Sequence, residues 1–234
     1  SHQNHKSLAD VAMMVETGDA DALISGLTRQ YPETIKPALQ IIGREDGANK
    51  VAGMHIVMTK LGPVFFADTT ATFNPTAEEL VEITALTAKA VRQFNIQPKI
   101  ALVSYSNFGS VENAETLVLR NAVAMLKERF PGMIVEGEMQ VNMAFNNELQ
   151  KENYPFSAIT DRSVNTLIFP NLHAANIGYQ LMQTLGQSEV IGPILLGMKR
   201  SVHILQLGSS IREIVNMVAI AVTDAQVKSK RKVS

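Results

Sequence analysis

The chain has 234 residues, a formal net charge of −1 and no cysteine. The near-neutral charge excludes a global electrostatic field for nucleic acid or an anionic membrane, and the missing cysteines exclude disulfides, thiolate nucleophiles and cysteine-based metal sites. No apolar run reaches the roughly 18 residues that suggest a membrane span. We expect a cytoplasmic protein without nucleic-acid or membrane partners.

Charged residues make up 18% of the chain, which is below the globular average of about 25%. Such a composition fits a surface that is buried in an oligomer, and it fits a core-rich enzyme domain equally well. The length is sufficient for one large α/β domain or for two smaller lobes.

The N-terminal segment, residues 1–10, is interpreted as a cloning remnant or linker, and the chain as part of a longer polypeptide. An apolar pattern over 11–15 and a strand over 21–27 follow. Arg29 and Lys36 come after that strand, where two cations could hold an anionic ligand. Exposed side chains on a connecting loop explain the same two residues nearly as well.

Strand-like runs alternate with helical periodicity along the rest of the chain. The predicted strands span 51–58, 64–69, 100–106, 134–140, 166–169 and 193–198, and the predicted helices span 76–94, 112–130, 174–185 and 210–225. This alternation predicts an α/β fold with mostly parallel, doubly wound sheets. Residues 46–60 differ, because their short strands and turns predict an antiparallel edge.

The loop after the strand over 100–106 is the best candidate ligand site. It contains Ser104, Ser106, Asn107, Gly109 and Ser110, and it joins the carboxyl end of a strand to a helix. Ligands of open α/β sheets bind at such ends, and hydroxyl groups with a helix N-terminus can hold phosphate without a cation. A capped turn without any ligand fits the spacing equally well.

Other recognisable chemistry is sparse. Neither a phosphate-binding G-x-x-x-x-G-K-[ST] loop nor a dinucleotide-binding G-x-G-x-x-G motif is present, and the histidines lack metal-ligand spacing. We therefore predict no cofactor and no metal in this chain. Glu136 and Glu138 could form an acid pair, although a solvated or hydrogen-bonded edge is the favoured interpretation.

The closing segment, 192–225, is the most informative part of the sequence. It predicts a buried strand over 193–198, then a loop, then a helix that begins with a Ser210–Glu213 capping box. The apolar face of this helix is predicted from its spacing: Ile211, Ile214, Val215, Val218 and Val222.

This closing segment resembles the end of the phosphate acetyltransferase/butyryltransferase family, G-L-x-K-P-V-N-D-L-S-R-G followed by a helix. Further segments resemble the family in the same order along the chain: 21–26, 36–42, 66–68, 75–78, 101–106, 136–140 and 168–172. Residues 106–110, 172–177 and 202–205 are most similar to the acetyltransferase-like C-terminal domain of hybrid NADP-dependent malic enzymes.

The resemblance implies a two-lobed fold. Residues 11–45 and 194–234 would form a truncated first lobe, and 46–193 would form an inserted second lobe. It also implies a ligand cleft between the lobes and a homodimer built through the inserted lobe. The ligand-binding residues are then predicted to be Arg29, Lys36, Ser104, Ser106, Asn107, Gly109, Ser110, Asn176, His203 and Gln206.

Three departures from the family pattern affect the expected activity. Gln206 and Leu207 stand where the family has Ser and Arg, Lys36 stands where it has Arg, and Asn142 stands where it has Asp. Acyl transfer to phosphate requires the phosphate to be held in line and its developing charge to be stabilised, and a lysine cannot replace the bidentate fork of an arginine. The resemblance therefore predicts acetyl-CoA binding without turnover, and no catalytic residue in this chain.

The leading hypothesis is a regulatory and oligomerisation domain of a parent NADP-dependent malic enzyme (oxaloacetate-decarboxylating), with acetyl-CoA or a related acyl-CoA as allosteric effector. The parent would be a higher oligomer and would convert malate to pyruvate with NADP and a divalent metal, Mg or Mn, outside this chain. One alternative is an active phosphate acetyltransferase that moves acetyl between CoA and phosphate. The other is a dimerisation domain with an empty cleft.

Overall fold

The computed structural model describes residues 7–26, 31–161, 163–206 and 208–230, without the side chains of 31–34. Its elements in chain order are α1 (Leu8–Thr17), β1 (Ala22–Gly26), α2 (Tyr31–Ile41), β2 (Ala52–Thr59), β3 (Gly62–Ala67), α3 (Ala77–Gln93), β4 (Lys99–Val103), α4 (Ala114–Arg129), β5 (Ile134–Met139), α5 (Val141–Ala144), α6 (Asn147–Asn153), β6 (Thr166–Ile168), α7 (Leu172–Thr184), β7 (Val190–Leu196), β8 (Ser201–Leu205) and α8 (Ile211–Lys230). No helix of the described part is long and apolar enough to cross a bilayer.

The chain divides into two compact units. The first unit combines Ser1–Val51 with Ile191–Ser234, and the second unit is Ala52–Val190. The sequence predicted one lobe of 11–45 with 194–234 and a second lobe of 46–193. The borders of these lobes lie a few residues from the borders of the two units, at both places where the chain passes from one unit to the other. An α/β fold with a mostly parallel sheet is confirmed.

The first helix begins earlier than the sequence analysis proposed. Ser7 caps α1, because the Asp10 backbone N–H donates to its hydroxyl at 3.2 Å while its own N–H donates to Asp10 Oδ2 at 2.8 Å. This reciprocal pair is a capping box, which satisfies two backbone donors of the first turn. Residues 8–10, which the sequence analysis assigned to a remnant or linker, therefore lie in a helix that Ser7 caps.

In the first unit, β1 and β8 form a parallel pair with Ala22 opposite Ser201 and Gly26 opposite Leu205. The sequence predicted a loop over this part of the closing segment, and that prediction is wrong: all five residues of β8 are buried in a strand. Gly26 is required at the end of β1, because its φ is 127° and a Cβ there would lie 2.1 Å from the Leu205 carbonyl oxygen.

The last helix also packs differently from the prediction. The Ser210–Glu213 capping box is confirmed, with the Glu213 N–H donating to Ser210 Oγ at 3.2 Å. The predicted apolar face is largely not the buried one, because Ile211, Val215, Val218 and Val222 are 46–82% exposed. The helix instead buries Met217, Ala221 and Asp224 against its unit. The Ser201 hydroxyl of β8 donates to the Ala221 carbonyl at 3.0 Å, and His203 Nε2 lies 3.6 Å from Asp224 Oδ2, so this face of the helix contacts β8.

The second unit contains strands β2 to β6 of a six-stranded sheet with the order β5-β4-β6-β3-β2-β7, and Val190 is the one residue of β7 that belongs to this unit. Strand β4 pairs in parallel with both β5 and β6, and β6 pairs in parallel with β3. The antiparallel pair is the β2–β3 hairpin, in which Thr59 lies opposite Gly62, but the prediction of an edge is wrong because β2 lies between β3 and β7. The predicted strand boundaries were too early here, because residues 46–50 form turns and not a strand.

The strands that carry the loops at the sheet edge are anchored in the core of this unit. Ile100, Ala101 and Leu102 of β4 and Ile168 of β6 have no exposed surface. Burial of one such leucine or isoleucine contributes about 1.5–3 kcal/mol. Because β3, β4 and β6 are parallel, their carboxyl ends meet at one edge, and the loops after Ala67, Val103 and Ile168 meet there as well.

Candidate ligand site

A cleft of about 640 Å³ lies at the carboxyl edge of β4 and β6, within the second unit. Its walls come from the end of β4, the start of α4 and the segment after β6. The residues that matter for its chemistry are Val103, Ser104, Glu115, Val118, Leu119 and Phe169. Ligand pockets commonly measure about 300–1,000 Å³ and have mainly apolar walls with few polar groups, which this cleft matches.

The predicted ligand loop, 104–110, borders this cleft but is tied into the protein by a buried carboxylate. The Ser106 hydroxyl and the Gly109 N–H both donate to Glu138 Oε1 at 2.8 Å. Ser106 and Glu138 have no exposed surface. The Ser106 hydroxyl oxygen also accepts from the Val111 N–H at 3.0 Å. Ser106 is therefore a structural residue in this arrangement.

The remaining donors of the loop are engaged in the same way. The Asn107 N–H donates to Ser110 Oγ at 2.9 Å, the Phe108 N–H to the Glu138 carbonyl at 2.7 Å, and the Ser110 N–H to the Asn107 carbonyl at 3.0 Å. The Ser106 N–H donates to Ser104 Oγ at 3.3 Å. Every backbone N–H over 106–111 thus has a protein acceptor. The geometry favours the capped-turn interpretation over an open phosphate cradle.

Asn107 connects the loop to the following strand as well. Its side-chain oxygen accepts from the Gln140 N–H at 2.8 Å, and its amide group donates to Gln140 Oε1 at 3.2 Å. The Gln140 amide in turn donates to the Tyr105 carbonyl at 2.8 Å. Both side chains are used to join the loop to the end of β5.

The two glutamates of β5 form ion pairs with different cationic side chains. Glu136 accepts from Lys127 at 2.9 Å and from the Ala158 N–H at 2.9 Å. Glu138 Oε2 lies 3.6 Å from Arg120 Nε, an ion pair longer than a hydrogen bond. The interpretation of a hydrogen-bonded edge is confirmed, with the difference that both carboxylates are buried and not solvated. The sequence analysis missed Arg120 because nothing in its helical spacing marks it.

Asn176 lies on α7 and contacts neighbours on its own helix. Its amide donates to the Tyr179 hydroxyl at 3.4 Å, and its oxygen accepts from Gln180 at 2.7 Å. The Tyr179 ring stacks on His55 with centroids 4.0 Å apart. Burial lowers the pKa of His55 to about 3, so this ring is neutral at physiological pH.

His55 belongs to a second buried polar cluster that the sequence did not indicate. Its Nδ1 lies 2.7 Å from Thr69 Oγ1. Burial raises the pKa of the adjacent Asp68, and four backbone N–H groups, from Gly53 and from residues 70–72, oppose that shift by donating to its carboxylate. This cluster fixes the loop after β3 beside the same sheet edge.

In the first unit, the predicted site residues are Lys36, His203 and Gln206. Lys36 is exposed on α2, and Gln206 is exposed directly after β8. His203 is fully buried: its Nδ1 accepts from the Leu195 N–H at 3.3 Å, and its Nε2 lies 3.2 Å from Ser201 Oγ. Its ring is a core group, and the prediction that it contacts a ligand does not fit this burial. Arg29 and Leu207 lie outside the described residues.

Asp224 of α8 is a further neighbour of His203, with its Oδ2 atom 3.6 Å from His203 Nε2. Burial alone would raise the pKa of Asp224, but the hydrogen bond from His203 and the charge and hydrogen bond of Lys228 lower it to about 2. The carboxylate therefore remains ionised and joins α8 to β8. Within the described ranges, no group of three His, Asp or Glu side chains could hold a metal ion.

The structure is that of an α/β protein of two units, and the second unit contains a cleft of the size of a ligand site. A family profile described as phosphate acetyl/butaryl transferase matches residues 2–222. The chain belongs to that family.

Its relatives fall into two groups. The chain is 40% identical over 213 residues to an NADP-dependent malic enzyme of Haemophilus influenzae, covering 91% of this chain and 28% of that protein. It is 34% identical over 227 residues to the phosphate acetyltransferase of Bacillus subtilis, covering 95% and 70%. The chain thus spans 28% of the length of the malic enzyme.

Among solved structures, a phosphotransacetylase from Streptococcus pyogenes superposes with a TM-score of 0.86 at 35% identity, covering 92% of this chain and 65% of that one. EutD phosphotransacetylase from Staphylococcus aureus gives a TM-score of 0.86 at 29% identity. The fold expected from the resemblance is confirmed by these superpositions.

Proposed function

We propose that the chain is the acetyltransferase-like regulatory and oligomerisation domain of an NADP-dependent malic enzyme and binds acetyl-CoA without transferring its acetyl group. The observation that carries this proposal is the uncharged pair Gln206–Leu207, which stands after β8 where the family resemblance places Ser and Arg. The similarity to malic enzymes of Haemophilus influenzae and Escherichia coli, at 40% and 38% identity, supports the choice of parent.

The physical reason for expecting no acetyl transfer is the negative charge of the reacting phosphate. An arginine holds a phosphate oxyanion through two parallel hydrogen bonds, and such donors commonly lower a transfer barrier by about 3 kcal/mol each. A leucine side chain supplies no donor, and the Gln206 amide is neutral. Binding of a thioester requires only a groove and a few polar contacts, so it can persist when the transfer chemistry is lost.

In this proposal the oxidoreductase chemistry resides outside the chain. The parent would oxidise and decarboxylate malate to pyruvate with NADP and a divalent Mg or Mn ion. Acetyl-CoA would lower that activity, and it can do so only through different affinities for two conformations of the parent. A coupling free energy of about 1–3 kcal/mol is typical of such regulation.

The oligomerisation part of the proposal rests on an exposed apolar row in the second unit. Ile177 and Leu181 of α7 and its C-cap residue Leu185 are 51–77% exposed and are spaced four residues apart, which places them on one side of the helix. A homodimer through this unit would bury more than about 2,000 Å² in total. Light scattering at micromolar concentration is expected to give a dimer or a higher oligomer; a monomer would contradict this part.

The regulatory part is tested on the protein at its full natural length, by following NADPH formation from malate at increasing acetyl-CoA. Inhibition is expected, and Lys36→Glu is expected to raise the acetyl-CoA concentration for half inhibition about tenfold, because an exposed cation near an anionic ligand is replaced by an anion. Lys60→Glu, an exposed charge reversal in the second unit, is the matched control. Equal inhibition of both variants would remove Lys36 from the site.

An active phosphate acetyltransferase is the second candidate. The superposition on the Streptococcus pyogenes phosphotransacetylase, with a TM-score of 0.86, favours it. Acetyl phosphate formation from acetyl-CoA and phosphate distinguishes the two candidates. A malate-oxidising protein that is insensitive to acetyl-CoA and binds none would instead support a dimerisation domain with an empty cleft.

A further inference from the structure

A second cavity of the second unit lies at the amino end of β4, whereas the candidate ligand site lies at the carboxyl end of the same strand. Its volume of about 360 Å³ is within the range of small-molecule sites. Its walls come from the β2–β3 hairpin, the start of β4, the residue after α5 and the segment before β6. The residues that matter for its chemistry are Leu61, Pro63, Val64, Lys99, Phe145 and Ser163.

The charge of this cavity comes from one lysine. Among the described residues that line it, Lys99 is the only charged one, and it is half-buried. No carboxylate in the described ranges forms an ion pair with it, whereas Lys127 donates to Glu136 at 2.9 Å and Lys228 donates to Asp224 at 2.8 Å. Charges attract more strongly where the surroundings are less polar than water. A half-buried ammonium group without a protein counter-ion therefore favours a bound anion.

The backbone of Lys99 has a fixed position because Asn165 bonds to both sides of it. The Lys99 N–H donates to Asn165 Oδ1 at 2.9 Å, and the Asn165 N–H donates to the Lys99 carbonyl at 3.1 Å. The Asn165 amide donates to the Gln97 carbonyl at 2.9 Å, and the Asn165 carbonyl accepts from the Phe65 N–H at 2.8 Å. Asn165 is thus a structural residue of the cavity wall. The Lys99 ammonium group and the Ser163 hydroxyl group are the donors that the cavity offers to a ligand.

The remaining wall is apolar. Val64 is 4% exposed and belongs to the core, whereas Leu61 at the hairpin turn is 78% exposed. Pro63 and Phe145 add further hydrocarbon surface to the lining. A ligand group that covers these side chains removes apolar surface from water, which favours binding. The cavity therefore combines one cation with a wall that suits a hydrocarbon chain.

We propose that this cavity binds a small carboxylic acid with a branched aliphatic chain, in its ionised form. The carboxylate accepts charge-assisted hydrogen bonds from Lys99 and a further one from Ser163, and the chain lies against Val64 and Phe145. A carboxylate carries one charge, which one lysine neutralises, whereas a phosphate ester carries about −1.5 to −2 at pH 7. The proposal does not depend on the proposed function, because it involves neither acyl-CoA nor the candidate ligand site.

The test measures binding by saturation-transfer NMR on the protein at its full natural length, with 3-methylbutanoate as the probe. Two related compounds are measured beside it: 3-methylbutanamide lacks the charge, and acetate lacks the branched chain. Lys99→Gln removes the cation and retains most of the length of the side chain. Ser163→Trp obstructs the cavity from an exposed position and is the second variant in case Lys99→Gln does not fold. Lys60→Gln is the matched control, because Lys60 is an exposed lysine of the same hairpin and is outside the cavity lining.

The expected result is that the wild-type protein binds 3-methylbutanoate about tenfold more tightly than either related compound, because each of these lacks one of the two interactions. Lys99→Gln and Ser163→Trp should each weaken binding of 3-methylbutanoate about tenfold or more. Lys60→Gln should change it by less than about twofold, because solvent and salt screen an exposed charge.

Three results would overturn the proposal. The first is no binding of 3-methylbutanoate to the wild-type protein. The second is an affinity for 3-methylbutanamide or for acetate that equals that for 3-methylbutanoate, because the site would then not use both its cation and its apolar wall. The third is unchanged binding in both cavity variants, because the probe would then bind elsewhere.

Discussion

Two loops that follow parallel strands differ sharply in how their polar groups are used. The β4–α4 loop of the second unit is held by Glu138, which has no exposed surface and accepts from Ser106 and Gly109. The β8–α8 loop of the first unit has an exposed Gln206, and its described bonds include two from Ser209 to the Gln206 carbonyl. The first loop is fixed by buried long-range contacts, whereas the two bonds of Ser209 in the second reach only three residues back along the chain.

This difference teaches that a run of polar residues after a strand need not be a ligand motif. Hydroxyl groups in the β4–α4 loop satisfy a buried carboxylate and backbone donors, so they specify the conformation of the loop. The loop residues that line the cleft are Ser104 and Tyr105. Substitution of Ser106 therefore tests the fold, because Ser106→Asp would place a second carboxylate beside Glu138.

The largest effect is expected from Glu138→Ala. It leaves the buried Ser106 hydroxyl and the Gly109 N–H without their acceptor, and it removes the nearer of the two carboxylates paired with Arg120, whose side chain is 29% exposed. Removing one partner of a buried charged pair costs about 3 kcal/mol or more. Urea titration should show this loss, and hydrogen exchange should show faster exchange over 106–111.

Glu112→Ala is the control for that experiment. Glu112 also lies near Arg120, at 3.9 Å, but its side chain is 72% exposed. An exposed pair of this kind contributes about 0–1 kcal/mol. Equal losses for the two variants would show that burial of Glu138 is not what fixes the loop.

A smaller and pH-dependent effect is expected at Asp224 on the helix after the other loop. Its folded pKa of about 2 is below its ordinary value of 3.8, so the stabilisation is present above about pH 4 and is lost as the pH falls towards 2. The shift corresponds to about 2 kcal/mol. Asp224→Asn should lower the free energy of unfolding by that amount at pH 7.

The difference between wild type and Asp224→Asn should shrink as urea titrations move from pH 5 to pH 3. Asp161→Asn, in an ion pair with Lys151 and with a 73% exposed side chain, should stay within about 0.5 kcal/mol of wild type throughout. A difference at Asp224 that is independent of pH would mean that its charge does not join α8 to β8.

The smallest effects are expected at the helix caps after the two loops. Asn113 accepts from the Thr116 N–H at 3.0 Å, and Ser210 accepts from the Glu213 N–H at 3.2 Å. Alanine at either cap should cost about 1 kcal/mol. Asn113→Ala should cost more than Ser210→Ala, because Asn113 also donates to the Tyr105 hydroxyl. The reverse order in urea titrations would contradict the tighter loop in the second unit.

The sequence predicted what depends on neighbouring residues. The Ser210–Glu213 capping box of α8 is visible as a spacing of three residues. The strand predicted over 100–106 is confirmed only over its apolar run, 100–103. These features need no information about the rest of the fold, so their prediction succeeded.

The features that the sequence missed depend on distant partners. Strand β8 contains Ser201 and His203, whose polarity suggests a loop until Ala221 and Asp224 of α8 are known to accept them inside the core. Glu138 and Ser106 are 32 residues apart. The cleft combines ends of two strands with one side of α4, so no single segment contains its pattern.

Binding of acetyl-CoA without acetyl transfer is tested most directly by one assay on the protein at its full natural length. Acetyl-CoA and phosphate are supplied, and acetyl phosphate is measured beside the phosphate acetyltransferase of Bacillus subtilis, while the same acetyl-CoA concentration is checked for thermal stabilisation of the protein. The expected result is stabilisation with no phosphate-dependent product, because Gln206–Leu207 offers no cation. Turnover of about 10 per second, an ordinary enzyme rate, would contradict it.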